Sequence, residues 1–98
     1  MKNSRFWSQS VACDDADAEY TATLPDSLAQ LQLRNSDLTA TWRWSFQSGV
    51  VATGGTRMAA GEVQAFDITT NPLGKAQPIY VASDTASTSI ELAGTILL

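Results

Sequence analysis

The stretch from Leu38 to Gln47 constrains the fold more than any other part of the chain. Leu38, Ala40, Trp42, Trp44 and Phe46 alternate without a break with Thr39, Thr41, Arg43, Ser45 and Gln47. Successive side chains of a strand point to opposite faces of a sheet, so this pattern specifies a strand with one apolar and one polar face. The aromatic side is the expected core face. Arg43 is then left at the middle of a face turned to solvent, to another sheet edge or to a neighbouring subunit. Such a strand needs partners in its own sheet and a second layer over its apolar side.

Those partners are legible on both sides. Upstream, Ala29, Leu31 and Leu33 alternate with Gln30, Gln32 and Arg34, and Asn35-Ser36-Asp37 separates the two runs, which predicts a hairpin. An amphipathic helix from Asp26, with Leu28 and Leu31 as its stripe, is the alternative, though it would be barely two turns long. Downstream, Gly54-Gly55 marks a turn or bulge before Thr56 to Ala60, and Glu62 to Thr69 alternates again up to a turn at Asn71-Pro72-Leu73-Gly74. Pro78 to Ser83 and Ser89 to Leu98 read as the last strands, and Tyr20 to Leu24 as an early one. The expected fold class is all-β: a single sandwich or jelly-roll-like domain of about seven or eight strands. Residues 1–18 are expected to be an N-terminal arm or edge segment, and residues 19–98 the sandwich domain.

Composition narrows the chemistry. The 98 residues make one domain, in which burial is adequate rather than generous, so self-association would help it. Histidine is absent, which removes imidazole bases and zinc ligands, and the single cysteine, Cys13, is expected to be a free thiol. A net charge of −4 with six scattered basic residues argues against nucleic acid as a partner. Lys2 and Arg5 are followed by alternation rather than an apolar run, so synthesis in the cytoplasm without a signal peptide is expected, and no membrane span is. Asp15, Asp17 and Glu19 at period two could offer oxygens to Ca²⁺, but without the central glycine of an EF-hand loop they read as a solvated acidic loop. Asp67, Asp84, Glu62 and Glu91 read as surface charges, and Lys2 and Lys75 lie in no motif that would activate a serine. No enzyme activity, catalytic residue, metal or cofactor is expected.

The chain ends carry a different signal. Ile96-Leu97-Leu98 cannot place all its side chains on one face of a sheet, and Phe6-Trp7 interrupts an otherwise polar segment. The expected interface is therefore Phe6, Trp7, Ile96, Leu97 and Leu98, with Arg43; a last strand covered on both faces within the domain is the other reading of the tail. A second class of function is a carbohydrate- or host-surface-binding module with Trp42, Trp44 or Trp7 as a stacking platform.

The succession Met58-Ala59-Ala60-Gly61-Glu62 leading into a strand, then Pro78-Ile79-Tyr80-Val81-Ala82-Ser83, then Thr85-Ala86-Ser87-Thr88-Ser89-Ile90-Glu91-Leu92, resembles the small β-sandwich accessory proteins of tailed-bacteriophage virions. The resemblance spans Leu31 to Leu92. It implies a non-enzymatic virion protein, decorating the head or joining head and tail. It also implies a homo-oligomer, a trimer by analogy, contacting the major capsid protein or other virion proteins. Proteins of this group act through surfaces, so no individual residue's role is carried over, and the acidic segment Asp14 to Glu19 has no counterpart.

Overall fold

The computed structural model describes residues 4–67 and 77–97. Ile68 and Thr69, the turn at Asn71 to Gly74, Lys75, Leu98 and Lys2 lie outside the described residues. The strands are β1 (Ser4–Cys13), β2 (Tyr20–Leu24), β3 (Leu28–Arg34), β4 (Trp42–Ser45), β5 (Thr56–Met58), β6 (Val63–Asp67), β7 (Gln77–Ser83) and β8 (Thr88–Leu97). Each strand of the first half pairs antiparallel with its counterpart counted from the other end: β1 with β8, β2 with β7, β3 with β6 and β4 with β5. The chain is thus one long antiparallel ribbon, wound so that β3 also meets β8 and β4 also meets β7. The result is two four-stranded sheets, β1-β8-β3-β6 and β2-β7-β4-β5, in the strand order of a jelly roll.

The core lies between the sheets. Trp42, Leu24, Leu28, Leu33, Met58, Ile79, Ile90 and Leu92 are fully buried there, each of them other than Trp42 stabilising the fold by roughly 1.5–3 kcal/mol. Val11 and Cys13 belong to the same core, so the segment before β2 is a full edge strand, β1, followed by a loop. Trp44 adds edge-on ring contacts with Phe66 at 5.2 Å and Phe46 at 5.4 Å, and its indole donates to Gln64 Oε1 at 3.0 Å.

The run at Leu28 to Arg34 is the expected strand, with inward Leu31 and Leu33 buried while Gln30 and Arg34 stay exposed; two expectations about its surroundings are corrected. It forms no hairpin with β4, because both sides of β3 are occupied by β8 and β6, and β4 lies in the other sheet. The Asn35-Ser36-Asp37 cluster is therefore an arch between layers. Asn35 is buried there, donating through Nδ2 to Ala40 O (2.8 Å) and Ala59 O (3.1 Å) and accepting from the Asp37 amide (3.2 Å). Finally, β4 is shorter than its alternation. Asp37 Oδ1 accepts the Thr39 and Ala40 amides and holds that segment in a turn, leaving Leu38 90% exposed, and Phe46 follows the end of the strand with its ring partly in solvent.

Two glycines stand where a Cβ has no room. Gly55 has φ +93°, and a Cβ on it would lie 2.8 Å from Trp44 O. At Gly94 the β3 ladder slips between Leu28 and Gln30, which brings the Gln30 carbonyl against β8 where a Cβ would stand.

Candidate functional site

The predicted interface residues gather along β1 and β8 but face different ways. Phe6 stands 73% exposed on the outer face of the first sheet, opposite Thr95. Trp7 points the other way and packs half-buried against the core. Ile96 is buried and Leu97 is half-buried on the outer face beside Ser4, so within the described residues the tail obeys strand alternation. Arg43 is spent inside the molecule: Nε donates to Val51 O (2.6 Å), and Nη2 pairs with Asp17 Oδ1 (2.7 Å). It ties β4 to its own loop and to the acidic segment.

The platform of Trp42 and Trp44 is corrected, since both are closed off in the core at 0% and 8% exposure. No sugar can stack on them.

The carboxylates hold loops. Asp17 takes Arg43, and Glu19 accepts Gly49 N (2.8 Å) and Ser48 Oγ (3.1 Å), so two of the three acidic residues considered for Ca²⁺ are turned to separate partners. The Asp84 carboxyl is held below its ordinary value by the Thr41 amide and then by the Thr85 hydroxyl. The Glu62 carboxyl is lowered likewise by the Gln64 side-chain amide and then by the Ala59 amide. Groups stabilised as anions in this way are poor proton donors or bases near neutrality, which suits turn clasps rather than acid–base chemistry.

Cys13 is fully buried, and desolvation, with Asp14 adding repulsion, pushes its thiol up to about 11 against a hydrogen bond involving the Ser83 backbone that acts the other way. The nucleophile is the thiolate, so this cysteine is inert when folded. Treatment with iodoacetamide at neutral pH is expected to leave the native chain unmodified by mass spectrometry and to add one adduct in urea; rapid native labelling would show that the β1 end opens freely.

One concavity stands out. It is a groove of about 440 Å³ on the outer face of the first sheet, running over β8 between β1 and β3. The register sets its walls: Ser8–Ala93–Gln32 forms one row across the three strands and Ser10–Glu91–Arg34 the next, with Phe6 at one end. Small Ala93 makes the floor, Gln32 and Arg34 of β3 and Phe6 of β1 rise around it, Ser8 and Ser10 leave the β1 side low, and Glu91 stands beside Ala93 on β8 itself. In the sequence, Gln32 and Arg34 were visible only as the polar side of a strand, and Glu91 only as a surface charge. Nothing local signals that β8 slots between β1 and β3 and brings the three together. No protein-family model matches this chain, nor does any curated protein or solved structure.

Proposed function

We propose that the chain is a non-enzymatic structural protein that works by packing against neighbouring subunits, in the setting implied by its resemblance to tailed-phage accessory proteins: a capsid decoration or head–tail accessory role. The observation that carries this reading is the outer edge of β1, which no strand of the described residues pairs. It is ten residues long and pairs continuously with β8 on one side. Among the described residues the other edge strands, β2, β5 and β6, have five, three and five residues. Natural edges are normally blunted by shortness, proline, bulges or charge, and β1 has no proline, keeps a regular register and carries a single charge, Arg5. An edge so unguarded favours a strand supplied by a neighbour.

A second copy supplies one readily. Antiparallel pairing of β1 with itself about a two-fold near Gln9 opposes Arg5 of one copy to the Cys13 end of the other, beside Asp14 and Asp15. The building unit proposed here is a dimer, whereas the resemblance implies a trimer. Gln9→Lys sets two ammonium groups together at the two-fold. Light scattering is expected to find an assembled wild type and a monomeric Gln9→Lys variant with the same melting temperature; a wild type that stays monomeric at high concentration refutes self-packing.

A further inference from the structure

We propose that the outer-face groove is a binding site for a neutral glycan. The argument rests on how the molecule uses its polar side chains. Asn35, Asp37, Arg43, Glu19, Glu62, Gln64 and Asp84 are each committed to hydrogen bonds within the chain. In the groove, Gln32, Arg34 and Glu91 have no such commitment among the described residues; the same is true of solvent-facing Gln30 and Asp26, so what sets these three apart is that they converge on one concavity. Arg34 and Glu91 even stand opposite each other in register without closing an ion pair. Three planar polar groups, amide, guanidinium and carboxylate, are thus left facing a concavity whose volume of about 440 Å³ lies within the ordinary range of small-molecule sites.

The lining selects the ligand class. Vicinal hydroxyls both donate and accept, and match a rim where Glu91 accepts, Arg34 donates, and Gln32, Ser8 and Ser10 do either. Phe6, 73% exposed at the end of the groove, offers a flat apolar surface to the C–H face of a sugar ring. The charges of Arg34 and Glu91 cancel and the chain carries −4 overall, so the site gives no net attraction to phosphate, sulfate or sialate. β1 lines the groove, Gln9 included, and also carries the proposed pairing edge, but the groove opens perpendicular to the sheet while the edge lies in its plane, so a strand added at that edge leaves the groove open.

The test is a ¹⁵N NMR titration of the full chain with maltotriose, cellotriose, chitotriose and lactose at millimolar concentrations, with phosphate and sialyllactose as anionic comparators. At least one neutral sugar is expected to give saturable shifts at Phe6, Ser8, Gln32, Glu91 and Ala93. Phe6→Ala is expected to weaken that sugar by about tenfold without lowering the melting temperature. The proposal is overturned by the absence of saturable groove shifts with every neutral sugar. Shifts that survive unchanged in Phe6→Ala, or that only the anionic probes produce, also overturn it. Light scattering on the same samples reports assembly separately, so failure of either reading is visible without the other.

Discussion

Replacing Gly94 by alanine is expected to cost the folded state about 3 kcal/mol or more, a large share of the roughly 5–15 kcal/mol that stabilises a small domain. Gly94 lies in β8 between Trp7 of β1 and Leu31 of β3. A methyl group there would press into the carbonyl oxygen of Gln30 and come within 2.7 Å of Leu28 Cδ1. Leu28 could rotate aside; the Gln30 backbone is fixed by its pairing with β8 on one side and β6 on the other. The requirement at Gly94 is for space, not for an unusual φ. Gly49 is the natural comparison, with φ +84° and nothing within 4 Å of its virtual Cβ. Gly49→Ala should lose only the left-handed penalty of roughly 1–2 kcal/mol. In thermal melts the Gly94 variant should fall by about 12 °C or more. Equal melting of the two variants would show that β3 can yield at its bulge.

Asn35→Leu is expected to be comparably damaging, at about 3 kcal/mol, although leucine is close in size and the site is fully buried. The cost is polar. Without the amide, the Ala40 and Ala59 carbonyls and the Asp37 amide lose their partner where the arch and the β5–β6 turn meet, a junction also tied by Asn35 N to Glu62 O at 2.9 Å. Asn35→Asp isolates the donor, because it keeps the shape while a carboxylate can only accept. Facing two carbonyl oxygens in the interior, that carboxyl would have its pKa raised on folding. Measured against the wild type at each pH, the variant should therefore lose least at pH below the unfolded carboxyl range, near about 4, and lose more as pH rises through the raised value. Urea titrations of both chains across acid and neutral pH check this. A difference from wild type that is the same at neutral as at acid pH would show that the donated bonds contribute little.

The strands were readable because burial is one-sided, and period two survives whatever the strand pairs with. Trp42, Trp44, Leu31, Leu33, Ile90 and Leu92 alternate as core residues must, and all are buried. Connectivity was not readable, for a physical reason. Asn35-Ser36-Asp37 encodes a change of direction but not whether the chain returns to the same layer, and the alternation of β4 looks alike in both cases. What decides it is that β8 and β6 take both sides of β3, strands that local pattern cannot place there. Phe46 shows the same limit, since its periodicity continues past the point where β4 ends. The groove is further still from local signals. Its rim comes from β1, β3 and β8, and only the winding of the ribbon makes them neighbours.

That winding also fixes the order in which the molecule can be made. β8 leaves the ribosome last, yet it is an inner strand of its sheet, where it must slot between β1 and β3, and Ser4 waits for Leu97. Until then, β1 and β3 each lack a neighbour on their inner side, and neither can close its hydrogen-bond ladder there. Such long-range closure pays chain entropy before any contact rewards it, so folding belongs to the slow, high-contact-order regime. A nascent chain in that interval presents unpaired strand edges to its siblings. The docking of the final strand is thus the step at which correct folding competes with premature association.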